Sequence, residues 1–357
     1  MNILFIAYHY APSSTVGAKR VSFWAKHLQE ISPESQYHIL TATKQTEDDP
    51  NITYIADNQS SFFSFIIKDE GITWAKSLCK TLTKDFLSRF DFVIFTGGPF
   101  MHFQLAKHIK AVAKCKIVFD FRDPFYNNPR FNSSKLKDRV KKSFQDFFLK
   151  YADLVLTVNQ HYQDSINFPI LEVIENGYDD ELISDISNAS EINNSKKLLL
   201  VGKIYNDILP DTFLNSLAIH FPQIKLNYIG DYQFNSHFKD LINHLGKKSH
   251  EEVMKYISQA EICLLFTGGK SFESPTKVYE YLALEKKILI ITEGELKTGA
   301  IYDLLMDYPN VIWSKNNEAD IKTNLTKILQ LHIHSYDTKR FSRKSGLKKL
   351  IKLLNDL

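Results

Sequence analysis

Short apolar runs punctuate the chain, each followed by a polar or glycine-bearing turn and then by a stretch of helical periodicity. In the first half they are Ile3–Ala7, Phe92–Phe95, Ile117–Phe119 and Leu154–Val158, with Val173–Ile174 as a shorter fifth. Runs with no polar alternation are how strands look when helices cover both faces of a parallel sheet. The turns after them are Gly97-Gly98-Pro99, Arg122-Asp123-Pro124 and Asn176-Gly177. Ligands of open α/β sheets collect outside the carboxyl ends of the strands, so chemistry is expected at these turns.

Residues Asp179 to Lys197 are polar and turn-prone, and the pattern restarts at Leu198–Val201, which ends at Gly202. Four more runs follow: Leu226–Ile229 to Gly230, Ile262–Phe266 to Gly268-Gly269, Ile288–Ile291 to Thr292, and Val311–Trp313. They predict a second doubly wound domain. Near the C-terminus Phe341, Leu347, Leu350, Ile351 and Leu354 fall at helical spacing among Lys and Arg, which predicts an amphipathic helix. The expected division is a domain over 1–180, a second over 196–335, and a terminal helix over 336–357 that returns to the first. Two lobes imply a central cleft.

Composition narrows the function. A length of 357 residues suits two domains with a core each. A net charge of +3 is too small for a nucleic-acid-binding surface, so no nucleic-acid partner is expected. Cys79, Cys115 and Cys263 are widely separated and in no CxxC or zinc-like spacing, as in a reducing compartment, and a cytoplasmic protein is expected. The run Met1–Tyr8 lacks the charged flank and cleavage site of a signal peptide and reads as a first strand. No run reaches the ~20 apolar residues of a membrane-spanning helix. Histidines 102, 161, 237, 244, 250, 332 and 334 form no HExxH or other metal-spaced cluster, so they read as surface or core residues and no metal is expected. Neither a GxGxxG fingerprint nor a P-loop is present, which excludes ordinary dinucleotide and P-loop sites.

The most informative stretch runs from Thr267 to Glu285. A Gly268-Gly269 loop leads to an expected helix start with Ser274 as N-cap and Pro275 at the first helical position. The free N–H groups and dipole of such a start favour a phosphate, and Lys277 would add a positive charge. Glu280 lies about 6 Å along the axis from Thr276, which suits the ribose hydroxyls of a nucleoside diphosphate. The alternative is an amphipathic helix that buries Val278, Leu282 and Ala283 and leaves Lys277 and Glu280 as a solvated i,i+3 pair.

The segment "SPTKVYEYLALEKKILI" resembles the donor-binding helix of GT-B glycosyltransferases, in particular retaining family 4. Others follow in the family's order along almost the whole chain: "YHYAPSSTVGAKRVSFWAKHL", with Gly17 as the first-loop glycine, then "FDFVIFTGGP", "VFDFRDPF", "ADLVLTVNQ", "VIENGYDDEL", "LLLVGKI", "NYIGD", "GKKSHEEVMKYISQAEICLLF" and "RFSRKSGLKKLIKLL". The resemblance implies the GT-B fold, α/β with two Rossmann-like doubly wound domains facing a cleft. It also implies a metal-independent retaining transferase that moves a sugar from a nucleotide diphosphate sugar to a hydroxyl acceptor such as a glycan; a membrane contact through the basic stretch 133–150 would make the acceptor lipid-linked, as in assembly of a bacterial surface polysaccharide. The donor is a co-substrate, and no cofactor is implied.

Carried over by residue, the resemblance assigns the donor to Gly17, Lys203, Ser274, Thr276, Lys277 and Glu280, with Glu280 on the ribose. Catalytic candidates are Asp123, Arg122 and Glu273. Six residues separate Glu273 from Glu280, one fewer than in the family's glutamate pair. Lys203 stands where the family has Arg, which replaces a bidentate fork by a point charge, and Asn206-Asp207 stand near the place of its second cation. Two structural alternatives stay open: Arg122 and Asp123 as an ion pair closing the turn before Pro124, and Gly17 as a close-packing residue, its neighbours Lys19 and Arg20 otherwise steering a phosphate. The basic stretch 133–150, with Leu136, Val140, Phe144, Phe147 and Phe148 on one face, is either a peripheral membrane contact or a helix covering the sheet. A sugar-nucleotide epimerase and a catalytically inert GT-B partner subunit are the other two functions compatible with the sequence.

Overall fold

The computed structural model describes residues 1–13, 15–57, 67–128, 134–162, 165–189, 196–204 and 208–357. The chain divides into two compact units, Met1–Asn176 with Arg343–Leu357, and Gly177–Ser342.

The first unit is built on β1 (Asn2–Ala7), β2 (Gln36–Thr41), β3 (Ile52–Tyr54), β4 (Phe92–Thr96), β5 (Lys116–Phe121), β6 (Leu154–Thr157) and β7 (Leu171–Val173). They form a parallel sheet in the order β3-β2-β1-β4-β5-β6-β7. β1 pairs with β2 on one side and β4 on the other, Ala7 standing beside both Thr41 and Thr96. The order reverses between β1 and β4, which makes that pair the topological switch point. One face is covered by the helices Val16–Ile31 and Arg343–Asn355, whose Trp24, Leu28, Leu347, Leu350 and Leu354 share a core with Phe5 and Ile94. The terminal helix is thus held by its apolar stripe. Each fully buried Leu there contributes about 1.5–3 kcal/mol relative to exposure. The aromatic runs fill another part of the core, where Phe103 stacks on Phe119 with centroids 4.6 Å apart.

The second unit contains β8 (Lys196–Val201), β9 (Leu226–Ile229), β10 (Ile242–His244), β11 (Ala260–Thr267), β12 (Lys287–Thr292) and β13 (Val311–Lys315), parallel in the order β10-β9-β8-β11-β12-β13. Its switch point lies between β8 and β11, and Leu264 stands beside Leu200 there.

Most apolar runs appear as strands one to three residues longer than their hydrophobic centres, while β9 matches its run and β6 stops one residue short of it. β2, β3 and β10 were not anticipated. β2 interrupts its apolar positions with Gln36 and His38, while β3 and β10 are three-residue edge strands whose side chains stay partly in water, so none shows an unbroken apolar run. The polar stretch expected to link the domains contains a helix, Asp180–Ala189, which buries Ile186 in the core of the second unit.

Candidate functional site

In the second unit the candidate residues converge on the carboxyl ends of β8 and β11. β8 ends at Val201 and is followed by Gly202, whose φ of +110° suits only glycine, and then by the exposed Lys203. Residues 205–207, which include Asn206 and Asp207, lie outside the described residues. β11 ends at Thr267, after which the chain loops before the helix Lys277–Ala283. Glu273 closes this loop. Its carboxylate accepts from Thr267 Oγ1 at 2.5 Å and from the Lys270 N–H at 3.4 Å, and Thr267 Oγ1 in turn accepts from the Gly269 N–H at 3.0 Å. The side chain is buried, with these donors around it.

The helix start differs from expectation. The helix begins at Lys277 with Thr276 as its N-cap, and Thr276 makes no side-chain cap hydrogen bond. Ser274 is therefore not the N-cap, and its hydroxyl lies 3.3 Å from the Tyr279 hydroxyl. Pro275 precedes the helix, its carbonyl accepting from the Val278 N–H, while the Thr276 carbonyl accepts from the Tyr279 N–H. Tight i to i+3 turns satisfy first-turn donors internally. These turns engage the N–H groups of Val278 and Tyr279, which a helix capped at Ser274 would also have bonded internally.

Glu280 is the better-built element. Oε2 accepts from Lys277 Nζ at 2.7 Å and Oε1 from His250 Nε2 at 2.7 Å. The i,i+3 pair exists, but it is not solvated, because Glu280 is 7 % exposed. Burial works to raise the Glu280 pKa, yet the hydrogen bonds and charges of His250 and Lys277 outweigh it and bring it to about 2. His250 is a site residue that the sequence did not single out. Its helix start was legible, since Ser249 and Glu252 form a capping box at the head of His250–Gln259. Its partner, 30 residues on, was not.

In the first unit Gly17 and Arg122 meet. Gly17 sits in the first turn of Val16–Ile31, which Thr15 caps through the Ala18 N–H at 3.3 Å. The Arg122 guanidinium lies against Gly17, where a side chain would otherwise stand, and donates to the Gly97 carbonyl at the end of β4. Burial pushes the Arg122 pKa down, opposed by the charges of Asp120 and Asp123. Asp123 is exposed beside it. Arg20 does not steer a phosphate: it is buried, paired with Asp120 at 3.1 Å, and donates to the carbonyls of Ile174 and Glu175 at 2.8 Å each. His9, just after β1, is a further unanticipated neighbour. Its pKa is lowered by burial, raised by the charge of Glu70 and lowered by that of Arg122.

The basic stretch forms the helix Lys135–Leu149, and residue 133 lies outside the described residues. Phe148 and Leu149 are buried, Phe144 and Phe147 are half-buried, and Leu136 is exposed. Phe125 receives Lys141, with Nζ 5.7 Å from the ring centroid. Among the described residues no helix is long and apolar enough to cross a membrane, and no three His, Cys, Asp or Glu side chains converge as metal ligands would.

No protein-family model and no curated protein matches the sequence. Solved structures do match in shape. Anabaena HepE, solved in complex with UDP-glucose, is 13% identical over 100% of both chains with a TM-score of 0.64. Sucrose-phosphate synthase from Thermosynechococcus elongatus is 12% identical, with 99% of this chain and 94% of that one covered and a TM-score of 0.66. An α,α-trehalose-phosphate synthase (UDP-forming) from Burkholderia vietnamiensis is 10% identical over 100% of both chains with a TM-score of 0.67. The fold is GT-B. One unit carries Gly97 after β4 and Arg122 after β5, with Gly17 on the helix after β1, and the other carries Lys203 after β8 with Glu273 and Glu280 after β11. The candidates thus occupy the ends of the sheets where open α/β folds bind ligands.

Proposed function

We propose that the protein is a retaining glycosyltransferase that moves a sugar from a nucleoside diphosphate sugar to a hydroxyl acceptor, a glycan or a lipid-linked one, in the making of a surface polysaccharide. The observation that carries this is Glu280, a buried carboxylate held ionised at the switch point of the second sheet, where a ribose diol is its natural hydrogen-bonding partner. HepE and the trehalose-phosphate synthase are named in their structures with UDP-glucose and as UDP-forming, which supports a uridine nucleotide as the first donor to try.

In this reaction Lys203 and Lys277 counter charge developing on the departing diphosphate, so no metal ion is assigned a part. Preorganised charge of this kind is usually the largest single contribution to such catalysis. Arg122, fixed by Gly97 and Gly17, supplies a cation at the first sheet, and Asp123 is the adjacent exposed carboxylate. Glu273 orders the loop after β11 through Thr267. Retention by front-face attack needs no carboxylate nucleophile, unlike the retaining hydrolases. The acceptor side extends to the Lys135–Leu149 helix, whose exposed Leu136 and surrounding lysines give a peripheral contact with an anionic membrane.

The test is a thermal-shift panel of UDP-, GDP-, ADP- and dTDP-linked sugars. A donor at 100 times its Kd adds about 2.7 kcal/mol of stability. One sugar nucleotide should stand out, and release of its nucleoside diphosphate should require an acceptor. Isomerised sugar nucleotide without acceptor would make the protein an epimerase, and no shift with any of the four would leave it an inert GT-B subunit.

A further inference from the structure

Glu280 gives one oxygen to each of two donors that come from different helices. Lys277 is one turn away on its own helix, whereas His250 reaches across from the helix His250–Gln259. An ionised carboxylate has about four lone-pair sites, so one donor on each oxygen leaves further acceptor capacity on both. A lysine alone would not fix the plane of the group, because the terminal torsion of Glu is broad and roughly two-fold. The second donor does. His250 is itself anchored at its backbone, since Ser249 Oγ accepts from the Glu252 N–H at 3.2 Å and Glu252 Oε2 accepts from the Ser249 N–H at 3.0 Å.

We infer that His250 is a positioning residue that acts through Glu280, and that the carboxylate so held selects a ribonucleoside diphosphate over its 2′-deoxy counterpart. Acceptor capacity on both oxygens of a fixed carboxylate matches two vicinal hydroxyls. A 2′-deoxyribose offers one, so one charge-assisted hydrogen bond to the carboxylate is not made, which is the kind of loss that discriminates between the two sugars. This rests on the donor role of Glu280 proposed above and adds the residue that tunes it and the sugar class it reads.

The experiment is calorimetric titration of the full chain with UDP and with 2′-deoxy-UDP, for the wild type, His250→Ala and His250→Gln. Wild type should bind UDP about tenfold more tightly than 2′-deoxy-UDP, the size of one charge-assisted hydrogen bond. His250→Ala should weaken UDP about tenfold and 2′-deoxy-UDP far less. His250→Gln places an amide nitrogen near the position of Nε2 and should restore most of the UDP affinity. Equal losses on both nucleotides in both variants would mean a structural role only, and unchanged binding would mean no role; either overturns the inference. Equal wild-type affinity for the two nucleotides, or a donor panel won by a dTDP-sugar, overturns it while the transferase function stands. If the wild type binds no nucleoside diphosphate at all, the donor function falls and this inference with it.

Discussion

A Cβ on Gly17 would collide with the guanidinium of Arg122, so the two residues fit together only because position 17 has no side chain. The guanidinium cannot simply swing aside, because it also donates to the carbonyl of Gly97. A residue in the first turn of the Val16–Ile31 helix thereby sets where the cation after β5 sits.

Gly17→Ala should therefore show opposite effects on helix and site. Gly to Ala within a helix gains about 1 kcal/mol from propensity alone. Transfer activity should nevertheless fall at least tenfold as Arg122 is displaced. In an Arg122→Ala background the same substitution should cost no activity and raise the melting temperature. Additive losses in the double variant would refute the coupling.

The Arg20–Asp120 pair is buried on both sides, with side chains 2% and 0% exposed, and Asp120 Oδ2 has no hydrogen-bond partner among the described residues. Asp120→Ala leaves a buried guanidinium uncompensated and should lower stability by about 3–5 kcal/mol in urea denaturation. Replacing both residues by apolar ones of similar volume should recover most of that loss.

The pH dependence of Glu280 has a defined sign. Its folded pKa of about 2 lies below the ordinary 4.5, so the stabilisation is complete above 4.5 and is lost as pH falls toward 2. Glu280→Gln should be less stable than wild type near neutral pH, and the gap should close between pH 4.5 and 2. Thermal melts across that range would show parallel curves if the carboxylate were not held by His250 and Lys277.

Gly269 and Gly294 pack backbone against backbone. A Cβ on Gly294 would meet the Gly269 Cα at 2.7 Å, and neither main chain is free to yield. Gly294→Ala should cost about 1–3 kcal/mol and weaken nucleotide binding by shifting the loop that Glu273 closes. Gly346→Ala, in the terminal helix, meets only a side-chain methyl of Ile174 at 3.1 Å and should be near neutral, because helix propensity offsets the crowding. Melting temperatures of the two variants side by side decide the matter.

The chain's apolar periodicity was enough to place most central strands, the terminal amphipathic helix and the strand-end turns, because these depend on local patterns of two to four residues. β9 was bounded to the residue, and β1 and β12 to within two. The order of short motifs also pointed to the GT-B fold. Edge strands β3 and β10 escaped because exposure erases the apolar signature. The start of the Lys277–Ala283 helix was misplaced because Ser274 and Pro275 have the right residue types for a cap, while the backbone uses those positions for a turn.

Tertiary structure alone decided the pairings. Arg122 with Gly17, Arg20 with Asp120, and His250 with Glu280 are separated by tens to about a hundred residues. Nothing local distinguishes a steering arginine from one buried against an aspartate, or a surface histidine from one that holds a carboxylate. Sequence supplies residue types at strand ends, since hydrophobic burial fixes where strands begin and stop. Which of those side chains meet is set by the sheet order, which brings β1 beside β4 and β8 beside β11.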